Sequence, residues 1–279
     1  MKSFAKTRAA NEVEYPSSDG KPMAETEFHL TNMLEVIGQL KRFFEEAADV
    51  YACGNMLMYY VPGDKRKHVS PDIFVVCGID KRIRENYLVW EEGKGPDLVI
   101  ELTSASTKRE DLETKFKLYR DVLKVHEYFL FDPQSEYLAP APSMQGYRLL
   151  NGQYARIRPV KGRLPSKVLG LHLERDGTEL RLFDPASAKW LRTTSELNTD
   201  LQKSEAEIEK TEAELQQTEA ELQQTEAELQ QTEAELQKTE AELRKTKAEL
   251  QKSKANEKNA EDEIEKLRRE LAALREEKD

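Results

Sequence analysis

The chain has 279 residues, a length that suggests about two structural units. Of these 38% are apolar and 34% charged. The charge is unevenly spread: Ser204–Asp279 holds 23 acidic and 13 basic residues and accounts for the net charge of −10, while Met1–Lys203 holds 30 of each. The acidity thus belongs to the tail, and it does not exclude a nucleic-acid partner for the balanced part, which can still present a local basic patch.

In chain order, residues 1–24 hold Pro16, Ser17, Ser18, Asp19, Gly20 and Pro22 and read as an irregular leader ending in a turn. From Glu25 to about Ala48, Leu30, Met33, Leu34, Ile37, Leu40, Phe43 and Phe44 recur at three- and four-residue steps, the mark of an amphipathic helix. A strand is predicted over Asn55–Val61, bounded by Gly54 and Pro62-Gly63, a second over Asp72–Cys77 after Pro71, and a third over Asp97–Leu102. Lys108 to Leu123 reads as a helix with Leu112, Phe116, Tyr119 and Leu123 on one face, and Glu127–Phe131 as a fourth strand ending at Asp132-Pro133. This order of helix, three strands, helix and strand predicts an α/β domain with a mixed sheet. Gly146–Gly152 with Tyr154–Arg158 reads as a hairpin, and Leu171–Glu174 and Leu180–Asp184 as short strands, all extending or flanking the sheet.

Beyond residue 195 a seven-residue unit, Thr-Glu-Ala-Glu-Leu-Gln-Gln, repeats from Thr211 with minor drift to Ser253. With leucine at heptad position a, Ile208, Leu215, Leu222 and their successors align, and threonines such as Thr211 and Thr218 fall at d. No Gly or Pro interrupts the repeat, so a continuous helix about 120 Å long is expected. Threonine is a poor d residue, and glutamate at both e and g opposes a parallel homodimer. The expected partners are a second copy, associating through the better heptads of Ile264–Leu274, or a basic strip on another protein; a solvated spacer helix is the alternative. The domain boundaries read as leader 1–24, globular domain 25–195 and helical tail 196–279.

Cys53 and Cys77 form neither a disulfide framework nor a CxxC site and read as buried small hydrophobes. Met1–Arg8 lacks the apolar core of a signal peptide, and no apolar run nears the roughly 20 residues that span a bilayer. The expectation is a cytoplasmic protein without a membrane partner. The four histidines show no zinc spacing, and there is no phosphate-binding glycine motif.

Two Pro-Asp pairs open consecutive strands, Pro71-Asp72 and Pro96-Asp97. Alternation puts Asp72, Phe74 and Val76 on one face of the first, and Asp97, Val99 and Glu101 on one face of the second. Glu101 stands in an apolar run, Leu-Val-Ile-Glu-Leu, where a carboxylate is costly unless paired or bound to a metal. If the strands are neighbours, Asp72 and Glu101 can share a hard cation such as Mg²⁺. Asp72 as a strand-start turn and Glu101 as a salt-bridged core residue are the competing readings. Asp111 and Lys115, four residues apart, share a helix face, either as an exposed ion pair or with the lysine over the metal site.

With these residues in place, the chain resembles the Uma-two family of putative restriction endonucleases, a branch of the PD-(D/E)xK nuclease superfamily frequent in cyanobacteria. The resemblance runs from about Tyr15 to Arg192 and rests on Asp19–Glu25, Ser70-Pro-Asp72, Pro96–Ser104, Ser106-Thr107 with Asp111 and Lys115, Tyr119, and His126–Pro133. It implies a restriction-endonuclease-like αβββαβ core, here followed by a long C-terminal α-helix or coiled coil. It also implies Asp72 and Glu101 as Mg²⁺ (or Mn²⁺) ligands, Lys115 as the catalytic lysine moved onto the helix, and Glu25 as the helix acid. Thr103 occupies the position of the superfamily lysine. The function implied is metal-dependent hydrolysis of DNA phosphodiesters, with a catalytically inactive scaffold of the same fold as the alternative. Lys65, Arg66, Lys67, Lys81, Arg82, Arg84, Lys108 and Arg109 are the basic candidates for backbone contact, or ordinary solvated surface.

Overall fold

The computed structural model describes residues 13–18, 26–138 and 143–276, with side chains described up to residue 269. The chain runs α1 (Glu27–Phe43), β1 (Val50–Cys53), β2 (Met58–Tyr59), β3 (His68–Val69), β4 (Ile73–Cys77), β5 (Tyr87–Leu88), α2 (Val89–Glu92) and β6 (Leu98–Leu102). Two π-helical segments follow, π1 (Glu110–Lys115) and π2 (Leu118–Val122). Then come β7 (Glu127–Phe131), β8 (Met144–Leu150), β9 (Gln153–Arg156), β10 (Leu164–Pro165), β11 (His172–Asp176), β12 (Glu179–Asp184), β13 (Lys189–Trp190) and α3 (Thr194–Glu276).

The main sheet has the order β1-β4-β6-β7-β8-β9. Only its β6–β7 pairing is parallel, so the sheet is mixed and the π-helical segments form the crossover. Strand alternation divides its side chains between two cores. Ile73, Val75, Leu98, Ile100, Leu102, Phe129 and Phe131 join Met33, Val36 and Leu40 of α1 and the leucines of β10–β12. Phe74, Val76, Val99, Tyr128 and Leu130 join Tyr119, Leu123, Met58 and Tyr87. Each fully buried aliphatic or aromatic side chain contributes about 1.5–3 kcal/mol.

Thr26 caps α1, its hydroxyl accepting from His29 N, and Lys41 and Arg42 in the last turn complement the helix dipole. Asn32 donates to Thr178 O and accepts from Leu180 N, fastening α1 to β12 of the smaller sheet β10-β11-β12-β13. That sheet therefore packs on α1, while the hairpin β8–β9 is part of the main sheet.

Three sequence expectations need correction. The strand expected over Asn55–Val61 is not in the main sheet; β1, five residues earlier, fills that place, and only Met58–Tyr59 is extended, in the small sheet β3-β2-β5. A run of Met and Tyr between Gly and Pro carries a stronger local strand signal than Val-Tyr-Ala-Cys, and tertiary pairing overrides it. Helix α1 ends at Phe43, short of Ala48. Cys53 and Cys77 are free thiols but only half-buried.

Contacts divide the chain into Met1–Asp200 and Leu201–Asp279. The first turns of α3 belong to the former: Glu196 pairs with Arg181 and accepts from Thr193 N, and Arg192 pairs with Asp200. From Leu201 to Leu267 the helix exposes its leucines, Leu215 and Leu229 by about 60%. Each d-position threonine from Thr211 to Thr246 donates its hydroxyl to the carbonyl four residues back, as Thr218 does to Glu214 O at 2.8 Å. Among the described residues no helix is long and apolar enough to cross a membrane.

Candidate active site

Strands β4 and β6 are antiparallel neighbours, with Ile73 opposite Ile100 and Phe74 opposite Val99. Continued by one residue, that register sets Asp72 opposite Glu101 on the face that carries Phe74 and Val99. Asp72 N lies 3.4 Å from Glu101 Oε2, and Leu102 N donates to Asp72 Oδ2 at 2.7 Å. The strand start is set by a close backbone approach: a Cβ on Gly54 would lie 1.9 Å from Asp72 O, and Asn55 N donates to Pro71 O. Only glycine leaves room for this contact.

Glu101 is fully buried. Lys115 Nζ reaches its Oε2 at 2.9 Å, and Tyr119 OH donates to its Oε1 at 2.6 Å. Lys115 Nζ also lies 3.1 Å from Asp111 Oδ1, so the ammonium is shared by two carboxylates. The Asp111–Lys115 ion pair is thus buried, against the reading of an exposed pair. On the other side, His29 Nε2 lies 3.2 Å from Asp72 Oδ1.

Burial drives these groups apart in acidity. It pushes the Glu101 carboxyl well above its ordinary value, the charge of Lys115 opposing and those of Asp72 and Asp111 adding to it. Burial likewise raises Asp111, against the pull of Lys115. At Asp72 burial is outweighed by the His29 hydrogen bond, the Lys115 charge and the Leu102 N–H, so its pKa is lowered. Burial works against the Lys115 ammonium, but Glu101, Asp111 and Asp72 more than reverse it and raise its pKa. Burial and the neighbouring Glu101 raise the Tyr119 hydroxyl, which stays a donor.

Among the described residues no three His, Cys, Asp or Glu side chains form a ready-made metal cluster. The donor chemistry nevertheless suits a hard divalent cation, because Mg²⁺ is commonly held by one or two carboxylates with waters and substrate phosphate completing the shell. Asp72, Glu101 and Asp111, when ionised, with Lys115 carry a net −2 that one divalent ion neutralises. Thr103 Oγ1, on the same strand face as Glu101, is buried without a hydrogen-bond partner, an orphaned polar atom at this wall.

Of the sequence candidates, the structure brings together Asp72, Glu101 and Lys115; Glu25 lies outside the described residues. Thr103 is buried at the superfamily lysine position, and Lys115 reaches Glu101 from π1 instead. Sequence reasoning missed His29, although its spacing of four, seven and eleven residues from Met33, Val36 and Leu40 places it on the buried face of α1. It also missed the widened helix. The other buried carboxylates belong to the scaffold: Asp97 accepts from Cys77 N, Glu127 from Lys167 N and Ser166 Oγ, and Asp132 from Tyr137 N and Leu138 N.

The basic candidates are largely engaged. Arg84 is buried, paired with Glu92 and Asp80 and stacked over Tyr51, which removes it as a phosphate contact. Lys81 Nζ donates to Phe44 O and Glu45 O, and Arg66 pairs with Asp64. A groove of about 620 Å³ runs along β1, lined by Lys41, Arg42, Lys81 and Arg82 among others, away from the acidic pair.

Residues 5–178 match the Uma2 family, described as "Putative restriction endonuclease". The crystal structure of a putative nuclease from Anabaena variabilis ATCC 29413 is 18% identical, with a TM-score of 0.40, covering 58% of this chain and 89% of its own. No curated protein matches. With a match over more than half of its length, on an α/β fold with a mixed sheet, the chain belongs to the Uma2 family of restriction-endonuclease-like proteins.

Proposed function

We propose that the chain is a metal-dependent endonuclease that hydrolyses DNA phosphodiester bonds, with Asp72, Glu101 and Lys115 as its working residues. The observation that carries this reading is the convergence of Asp72 and Glu101 across β4 and β6 with the Lys115 ammonium on Glu101. Asp72 and Glu101 would hold Mg²⁺ or Mn²⁺, which when bound supplies Lewis acidity toward the phosphate and a more acidic water. Lys115 would stabilise the charge gathered on the phosphate. His29 and the Leu102 N–H keep Asp72 oriented and ionised, and Tyr119 fixes one oxygen of Glu101.

Incubating the full chain with plasmid DNA and Mg²⁺ or Mn²⁺, beside Asp72→Ala and Glu101→Ala, tests the reading. The wild type should nick or linearise plasmid and both variants should not. A wild type that cuts no better than its variants would leave a nuclease-fold head on a helical tail, a scaffold rather than an enzyme.

The heptad repeat is proposed as an association surface for a second copy or a protein partner. Cutting after Asp200 keeps the Glu196–Arg181 contact and should lower the mass measured by light scattering to that of a single head. An unchanged number of subunits would place self-association elsewhere.

A further inference from the structure

Asp111, Lys115 and Tyr119 are four residues apart, and Lys115 and Tyr119 both reach Glu101 while Asp111 reaches Lys115. In an α-helix four residues turn 400°, so such a row slips by about 40° at every step. The π-helical turns of π1 and π2, closed by wider i→i+5 hydrogen bonds, turn less per residue and cancel much of that slip. The unusual helix thereby aligns three polar side chains over one buried glutamate.

Within that row Asp111 stands out among the buried carboxylates. Asp97, Glu127 and Asp132 each accept backbone N–H groups that a fold must satisfy. The Asp111 carboxylate is 1% exposed, accepts no backbone N–H among the described residues, and has the Thr107 hydroxyl beside it and Lys115 as its ion-pair partner. Its backbone is held firmly, N donating to Thr107 O and O accepting from Tyr128 OH at 3.0 Å. A buried carboxylate without backbone donors costs several kcal/mol unless a charge compensates it, and here the compensating charge is the Lys115 ammonium.

We propose that Asp111 is a positioning residue that anchors the Lys115 ammonium while Glu101 is engaged with a divalent cation. This rests on the reading of Asp72 and Glu101 as the cation-holding pair. A cation drawn to Glu101 repels the ammonium 2.9 Å from the same oxygen. Lys115 then needs a second carboxylate that is not itself a ligand, and Asp111 at 3.1 Å is placed to keep it beside the pair.

The test compares full-length wild type, Asp111→Asn and Asp111→Glu by Mn²⁺ titration calorimetry, plasmid cleavage and amine labelling of Lys115 read by mass spectrometry. Asp111→Asn should bind Mn²⁺ within about threefold of wild type yet cut about 10- to 100-fold more slowly, the usual scale for a misplaced catalytic group. Asp111→Glu should recover part of the rate. In Asp111→Asn, Mn²⁺ should increase Lys115 labelling several-fold, while in wild type it should not; a merely structural defect would raise labelling without Mn²⁺ as well. Wild-type cleavage by Asp111→Asn, labelling indifferent to Mn²⁺, or Mn²⁺ affinity weakened tenfold or more (the mark of a ligand) would each overturn the proposal. Failure of the wild type itself to bind Mn²⁺ would overturn the reading of the acidic pair, and this proposal with it.

Discussion

Glu101→Ala is expected to abolish cleavage and to destabilise the protein at once. Loss of a carboxylate that holds the cation should slow cleavage about 1,000-fold or more, the equivalent of roughly 4 kcal/mol in the barrier. The same change strips Tyr119 OH of its acceptor and leaves Lys115 paired with Asp111, with the charge of Asp72 nearby. Removing one partner from a buried charged cluster costs about 3 kcal/mol, which for a domain of this size lowers Tm by about 6–12 °C. Glu101→Gln separates the two effects. It keeps the shape and one acceptor oxygen, so its melting temperature should fall less, yet the neutral amide should cut no faster than the alanine variant. Thermal melts beside plasmid nicking measure both, and a Glu101→Gln protein retaining more than about a tenth of wild-type cleavage would rule the residue out as a working group.

Gly54→Ala should be the most damaging single-methyl change in the head. The new Cβ would fall 1.9 Å from Asp72 O and 2.8 Å from Ile37 Cδ1. The first neighbour is backbone and cannot rotate away, so β1 and β4 must separate where Asp72 begins. Overpacking of this kind costs about 3 kcal/mol or more, and any protein that still folds should lose cleavage because Asp72 has moved. Gly63→Ala is the matched control, with a positive φ of 83° and open space around it; it should cost only about 1 kcal/mol. Equal melting temperatures for the two variants would show that the Gly54 contact yields, and that Asp72 is not held by it.

How far this site can be read from the sequence depends on the residue. Glu101 is legible because a lone carboxylate in Leu-Val-Ile-Glu-Leu violates the apolar pattern around it. Spacing puts Lys115 on one helix face with Asp111 but equally allows an exposed ion pair, and its place beside Glu101 is an expectation from the family resemblance. The pairing of Asp72 with Glu101 needs strand adjacency, which two short runs of the same alternation suggest but a register alone decides. Strand β1 escaped because four residues of Val-Tyr-Ala-Cys carry little pattern, and β10 and β13, two residues each, carry less. The π-helical turns are invisible to an apolar periodicity built for 3.6 residues per turn: Leu112, Phe116, Tyr119 and Leu123 satisfy it, while the polar row at steps of four satisfies a wider winding. His29 bonds to a residue 43 positions away, a contact that only the assembled fold creates.

The tail has its own arithmetic. Seven residues advance a helix by about 10.5 Å and turn it to within about 20° of its starting direction. Gain or loss of one Thr-Glu-Ala-Glu-Leu-Gln-Gln unit would therefore change the reach of this helix in fixed increments while its leucines keep nearly the same heading. Because every d-position hydroxyl from Thr211 to Thr246 is already bonded to its own helix, each unit would add length without adding an unsatisfied group, which makes the repeat a ruler that can be lengthened by simple duplication.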